Sequence, residues 1–151
     1  MENIWTKIND EMPTYVKSLC EKYKLFCVKI SPLKTAIVGK EFALIITIDR
    51  FDTDVFYVYK EGKNMILYSC GNYFAEKYNE EDRVNLLCGS GADILVRNDI
   101  IVTTNGLISK WGDVLEGKRE WIDKYKKSSR YSVGRLADAE VKKLEPYLII
   151  L

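Results

Sequence analysis

Phe42-Ala43-Leu44-Ile45-Ile46-Thr47-Ile48 carries one hydroxyl and no charge. A strand this apolar on both faces needs cover on both faces, so the stretch reads as the middle of a sheet. Strand geometry alternates side chains. Leu44, Ile46 and Ile48 are therefore expected to face one layer, and Ile45 and Thr47 the other.

The flanking sequence supplies the neighbours of this strand. Phe26, Val28 and Ile30 alternate with Cys27 and Lys29, which predicts a strand with one better-buried face. Ser31-Pro32-Leu33-Lys34 is a turn, Thr35 to Val38 returns, and Gly39-Lys40 leads into the central run. Beyond it, Asp49-Arg50-Phe51-Asp52-Thr53-Asp54 is a connection, because short polar side chains close turns on their own backbone. Val55-Phe56-Tyr57-Val58-Tyr59 is aromatic and β-branched and predicts another strand. Glu61-Gly62-Lys63-Asn64 turns, and Met65 to Ser69 completes the set. The connections are short, so the pairing is expected to be antiparallel: a meander of about five strands over residues 25–69.

Helical patterns lie on both sides. Asn3 can cap a helix whose apolar positions include Ile4, Ile8, Met12, Val16 and Leu19. Pro13 falls inside this run and either kinks one helix or starts a second. After the sheet, Asn79-Glu80-Glu81-Asp82 predicts a capped helix start leading to Val84, Leu86 and Leu87. Cys88-Gly89-Ser90-Gly91 is expected to end that helix. Residues 94–109 suit either a helix or a hairpin around Asn105-Gly106, and the spacing of Ile94, Ile101, Val102 and Ile108 inclines the reading to a helix. Asp113 and Glu116 predict a cap and a third-position acid for a helix that buries Val114, Leu115, Trp121, Ile122 and Tyr125. Lys126 to Arg130 is a polar linker. A last helix is expected near Ala137 to Leu144, stopping before Pro146, with Tyr147 to Leu151 as an apolar tail. The expected architecture is α+β, one domain over residues 1–151, with an antiparallel sheet packed by an N-terminal helix and C-terminal helices.

Composition narrows the chemistry. The chain has 151 residues, 47% hydrophobic and 30% charged, which fits a globular domain with its own core rather than a disordered chain. Net charge is +1, so no overall charge points to nucleic acid or an anionic membrane. No apolar run reaches the ~20 residues of a membrane span. The first residues lack the pattern of a signal peptide, so a cytoplasmic protein is expected. Cys20, Cys27, Cys70 and Cys88 form no Cys-x-x-Cys pair and are expected to be reduced, buried thiols. The chain contains no histidine. That removes Ser-His and Cys-His nucleophile pairs, histidine-bearing zinc sites and imidazole acid–base catalysis.

Three features could carry function. Asp49, Asp52 and Asp54, with Glu61 on the next loop, cluster carboxylate oxygens of the kind a hard cation takes. The loop lacks the glycine and the closing glutamate of a calcium-binding EF-hand, so a solvated turn or an acidic partner-binding patch is the expected role, with no metal. Asp54 followed by Glu61-Gly62-Lys63 has the residue order of restriction-type nucleases, but Gly62 places the pair in a turn rather than on the strand that chemistry needs. Cys70-Gly71 and Cys88-Gly89-Ser90-Gly91 read as structural, and no catalytic residue or cofactor is expected. The second candidate surface is the basic stripe 118–135, with Lys118, Arg119, Lys126, Lys127 and Arg130 near Trp121, Tyr125 and Tyr131. An ordinary amphipathic helix with a wet basic side explains it as well.

The segment Gly112-Asp113-Val114-Leu115-Glu116-Gly117-Lys118-Arg119-Glu120-Trp121-Ile122-Asp123-Lys124-Tyr125 resembles the aliphatic-Leu-x-Gly-x-x-x-Trp-aliphatic segment of small bacterial immunity proteins. The order of N-terminal helix, antiparallel sheet and C-terminal helices is also similar to some of them. The resemblance implies a cytoplasmic inhibitor that binds a cognate toxin domain by occlusion, a non-catalytic protein-binding module. The alternative is a small carboxylate-dependent enzyme, or a nucleic-acid-associated protein using the basic stripe.

Overall fold

The computed structural model describes residues 3–50 and 52–148. Five strands pair antiparallel in sequence order: β1 (Phe26–Ser31), β2 (Lys34–Val38), β3 (Phe42–Ile48), β4 (Thr53–Glu61) and β5 (Asn64–Ser69). β3 is the middle strand. Ile46 lies opposite Thr35 on β2 and Val55 on β4, and Leu44 lies opposite Ile37 and Tyr57.

The alternation of β3 sorts the core into two layers. Phe42, Leu44, Ile46 and Ile48 join the larger cluster, and Ala43 and Ile45 join the smaller. Thr47 is only half-buried, so cover on the second face ends one residue pair short of the turn.

The larger layer is built by helices from both sides of the sheet in sequence. Asn3 caps α1 (Ile4–Asp10), its side chain accepting from the Trp5 N–H at 2.8 Å. The N-terminal run then breaks into α2 (Met12–Tyr15), with Pro13 in its first turn, and α3 (Lys17–Tyr23). Ile8, Met12, Val16 and Leu19 are fully buried across these breaks. Asn9 is buried with them. Its amide donates to the Ser31 carbonyl at 3.0 Å and its oxygen accepts from Thr35 at 2.8 Å, which ties α1 to the β1–β2 hairpin.

After β5 come α4 (Gly71–Ala75), α5 (Ala92–Lys110), α6 (Gly112–Leu115), α7 (Trp121–Lys127) and α8 (Asp138–Leu144). α5 settles the ambiguity of residues 94–109 as a helix. It buries Val96, Ile100 and Leu107, and Thr104 returns its hydroxyl to the Ile100 carbonyl at 2.9 Å. The Asn105-Gly106 pair lies inside the helix because Gly106 accommodates the Tyr78 ring. α8 covers the second sheet face with Leu144, followed by Leu148. Residues 149–151 of the predicted apolar tail lie outside the described residues.

Four expectations need correction. Asn79 to Asp82 closes a 3-10 turn, and no helix follows it over Val84, Leu86 and Leu87. The reason is Asp82: it is buried, receives the Asn79 N–H and the Ser109 hydroxyl, and lies 3.4 Å from the Lys110 ammonium. Gly89-Ser90-Gly91 accordingly ends no helix, and Gly91 sits at the start of α5. The segment 113–125 is two helices, because Gly117 has φ +85°, a left-handed turn that ends α6. The thiols are not all buried: Cys70 is, Cys20 and Cys27 are partly so, and Cys88 is exposed in the irregular loop.

Candidate functional site

Asp49 and Asp52 hold the two ends of the β3–β4 connection. The Asp49 N–H donates to the Asp52 carbonyl at 2.9 Å. The Asp49 carboxylate accepts from the Arg50 N–H at 2.7 Å, and the Asp52 carboxylate from the Thr53 N–H at 2.8 Å. Asp49 and Asp52 remain exposed. The connection therefore presents two carboxylates, each held by the N–H of the residue that follows it.

Asp54 behaves differently. One of its oxygens accepts from the Val55 N–H at 2.8 Å and the other from the Ser69 hydroxyl at 3.1 Å. A Cβ on Gly71 would lie 2.5 Å from it. Asp54 thus fastens β4 to the end of β5 and the start of α4, and the exposed acids of the turn are Asp49 and Asp52.

Asp99 joins them from α5. Its carboxylate receives the Thr53 hydroxyl and, at 3.3 Å, the Thr53 N–H. Burial pushes the Asp99 carboxyl up, the neighbouring Asp52 charge pushes the same way, and the Thr53 bonds oppose both. A carboxyl raised in the folded state binds protons more tightly there than in the unfolded chain. Its stabilising contribution is present below the unfolded value of ~3.9 and is lost as pH rises through the folded value. Asp99→Asn keeps an acceptor for Thr53 and removes the charge. It should raise the melting temperature at pH 7 and shrink the rise in stability on acidification that this carboxyl causes. An unchanged melting temperature across pH 4 to 7 relative to wild type would show that the charge carries no penalty.

Glu61 does not join the acidic turn. It ends β4, a nine-residue strand that begins at Thr53, which puts it about 26 Å from Thr53 at ~3.3 Å per residue. Glu61 instead sits 3.4 Å from the Tyr59 hydroxyl, on the side of the sheet end that holds the basic stripe. Arg119 places its guanidinium 4.6 Å from the Tyr59 ring centroid and donates to the Glu41 carbonyl at 3.1 Å. Lys118 pairs with Glu116 at 3.1 Å and Arg130 with Glu76 at 2.9 Å. Lys126 lies 5.9 Å from the Tyr68 ring centroid, and Lys127 is exposed at the end of α7. The stripe is thus interrupted: Arg119 serves packing, and two of its cations are paired.

Sequence reasoning missed Asp99, and nothing local marks it, since its partner Thr53 lies on another element. It also missed a cleft of about 840 Å³ between the end of α3, the β2–β3 turn and the end of α6. Lys22, Lys24 and Lys40 stand around it with Glu41 and Glu116, so its charges are mixed. Among the described residues no group of three or more His, Cys, Asp or Glu side chains could hold a metal ion, and no helix is long and apolar enough to cross a membrane.

No family model matches the chain, and no curated protein or solved structure matches it.

Proposed function

We propose that the protein is a non-catalytic binding module, an immunity protein that neutralises a cognate toxin domain by occluding it. The observation that carries this reading is the pair of exposed carboxylates, Asp49 and Asp52, each accepting from the next residue's N–H, with Asp99 fastening Thr53 beside them. Toxin domains that act on anionic targets carry basic surfaces, and carboxylates fixed in advance lose little entropy on meeting them. The resemblance of Leu115-x-Gly117-x-x-x-Trp121 to immunity proteins points to the same class. Occlusion needs a stable scaffold and a matched surface, and it needs neither a nucleophile nor a cofactor. The paired and docked cations of the basic stripe favour this reading over nucleic-acid binding.

Affinity purification from the native cell tests it. The retained protein should be toxic when produced alone and harmless when this chain is produced with it. Asp49→Asn with Asp52→Asn should slow association with that protein several-fold at low salt and flatten its salt dependence, with the fold intact. A retained partner without toxicity would overturn the reading, as would retention of no partner.

A further inference from the structure

The loop from Arg83 to Gly91 is irregular, yet it is pinned. The Leu87 N–H donates to the Asn98 side-chain oxygen at 2.7 Å, and the Asn98 amide donates back to the Leu87 carbonyl at 3.1 Å. Farther along α5, the Asn105 amide donates to the Asp82 and Val84 carbonyls at 3.0 and 3.2 Å. These bonds satisfy the backbone and leave aliphatic side chains outside. Val84 is 47% exposed, Leu87 41%, and Leu95 on α5 58%. Single exposed aliphatic residues are ordinary. Leu87 and Leu95 both stand beside Asn98, and Leu87 lies on a backbone held by that side chain, so part of the freedom that binding would otherwise cost is already lost.

Helical geometry sets what lies beside them. At about 100° per residue, Leu95 falls in azimuth between Asn98, which holds the loop, and Asp99, which holds Thr53 and the acidic turn. The Leu87 part of the loop, Leu95 and the turn therefore run as one strip across α5, apolar on one side and carrying the Asp49 and Asp52 carboxylates on the other. A strip with an aliphatic centre and a charged margin has the make-up of a binding interface.

We propose that this strip is the partner-binding surface: Leu87 and Leu95 enter an apolar groove on a protein whose rim carries Lys or Arg against Asp49 and Asp52. The proposal rests on the functional reading above for the partner being a protein, and it adds where the affinity resides. The exposed Asp49 and Asp52 carboxylates outnumber the Arg50 guanidinium between them and so favour a partner with a basic rim.

Cys88 supplies the probe. It is exposed beside Leu87, whereas burial pushes the Cys27 and Cys70 thiols up to about 12 and raises the Cys20 thiol. A thiol-directed photo-crosslinker attached to Cys88 reports the loop. Arg50→Cys in a Cys88→Ser background reports the turn, and Lys142→Cys in that background, on the exposed side of α8, is the control. In native lysate the same protein should be captured from positions 88 and 50 and not from 142. With that protein purified, Leu87→Asp with Leu95→Asp should speed dissociation at least about tenfold, the scale of truncating a central contact. Support requires both results. Capture from position 50 alone, or an unchanged dissociation rate, overturns the strip and leaves the functional reading standing. Capture from position 88 alone, or of a second copy of this chain, also overturns it. Capture from neither position overturns the strip and the acidic turn together.

Discussion

Ile46→Asp should leave no cooperatively melting protein. Ile46 is 1% exposed at the centre of the middle strand, within the larger cluster. The change removes a buried aliphatic side chain, at a cost of about 2–5 kcal/mol. It also places a carboxylate within an apolar cluster, opposite a Thr35 hydroxyl already engaged by Asn9, which adds several kcal/mol more unless the group protonates. Together these approach the whole stability of a domain, ~5–15 kcal/mol. Ile46→Val is the control: it should cost about 1 kcal/mol and melt as a single transition. An Ile46→Asp variant that melts cooperatively near the wild-type temperature would remove β3 from the centre of the fold.

Gly106→Ala should destabilise, against the rule of helix propensity. Alanine in a helix interior is favoured over glycine by about 1 kcal/mol. At position 106, however, an added Cβ would overlap the Tyr78 ring. A ring cannot give way as the end of a flexible chain can. Forced overpacking costs ~1–3 kcal/mol, and an overlap this deep lies at or beyond the upper end. The net expectation is a loss of about 2 kcal/mol, or about 5 °C in melting temperature for a chain of this length. A double-mutant cycle identifies the cause. In a Tyr78→Ala background the same Gly106→Ala change should be neutral or stabilising. A higher melting temperature for Gly106→Ala alone would mean that the ring is not held there.

These two positions show how unevenly the fold is written in the chain. Ile46 needs only its neighbours: seven residues without a charge require a covered strand, and the short connections around it leave a meander as the simple topology. Gly106 reads locally as a hairpin turn, and its real reason, the Tyr78 ring, comes from another part of the chain. The loop after Asp82 fails for the same cause. Asn79 and the acids that follow announce a helix, but Asp82 is taken by Ser109 and Lys110 from the far end of α5. For the candidate site, strand geometry already separates Glu61 from Asp49, because consecutive hairpin turns emerge at opposite ends of a sheet. It could not reveal that Asp54 turns inward to Ser69, that Asp99 arrives beside Asp52, or that Arg119 lies on Tyr59 rather than in water. Each of those depends on a partner chosen by packing.

The two faces of the sheet are covered by parts of the chain that are made at different times. α1 to α3 precede the strands and can pack as soon as the strands pair. The other face, with Ile30, Ala36, Val38, Ala43, Ile45, Val58 and Leu67, is closed among the described residues by Leu136, Leu144 and Leu148. On the ribosome the sheet is complete at Ser69, while α8 begins at Asp138. Throughout that interval an aliphatic sheet face has no cover, and contact with another nascent chain is then the hazard. Slowed translation after α7 would lengthen the exposure, and the cost would appear as aggregated product rather than as a less stable native state.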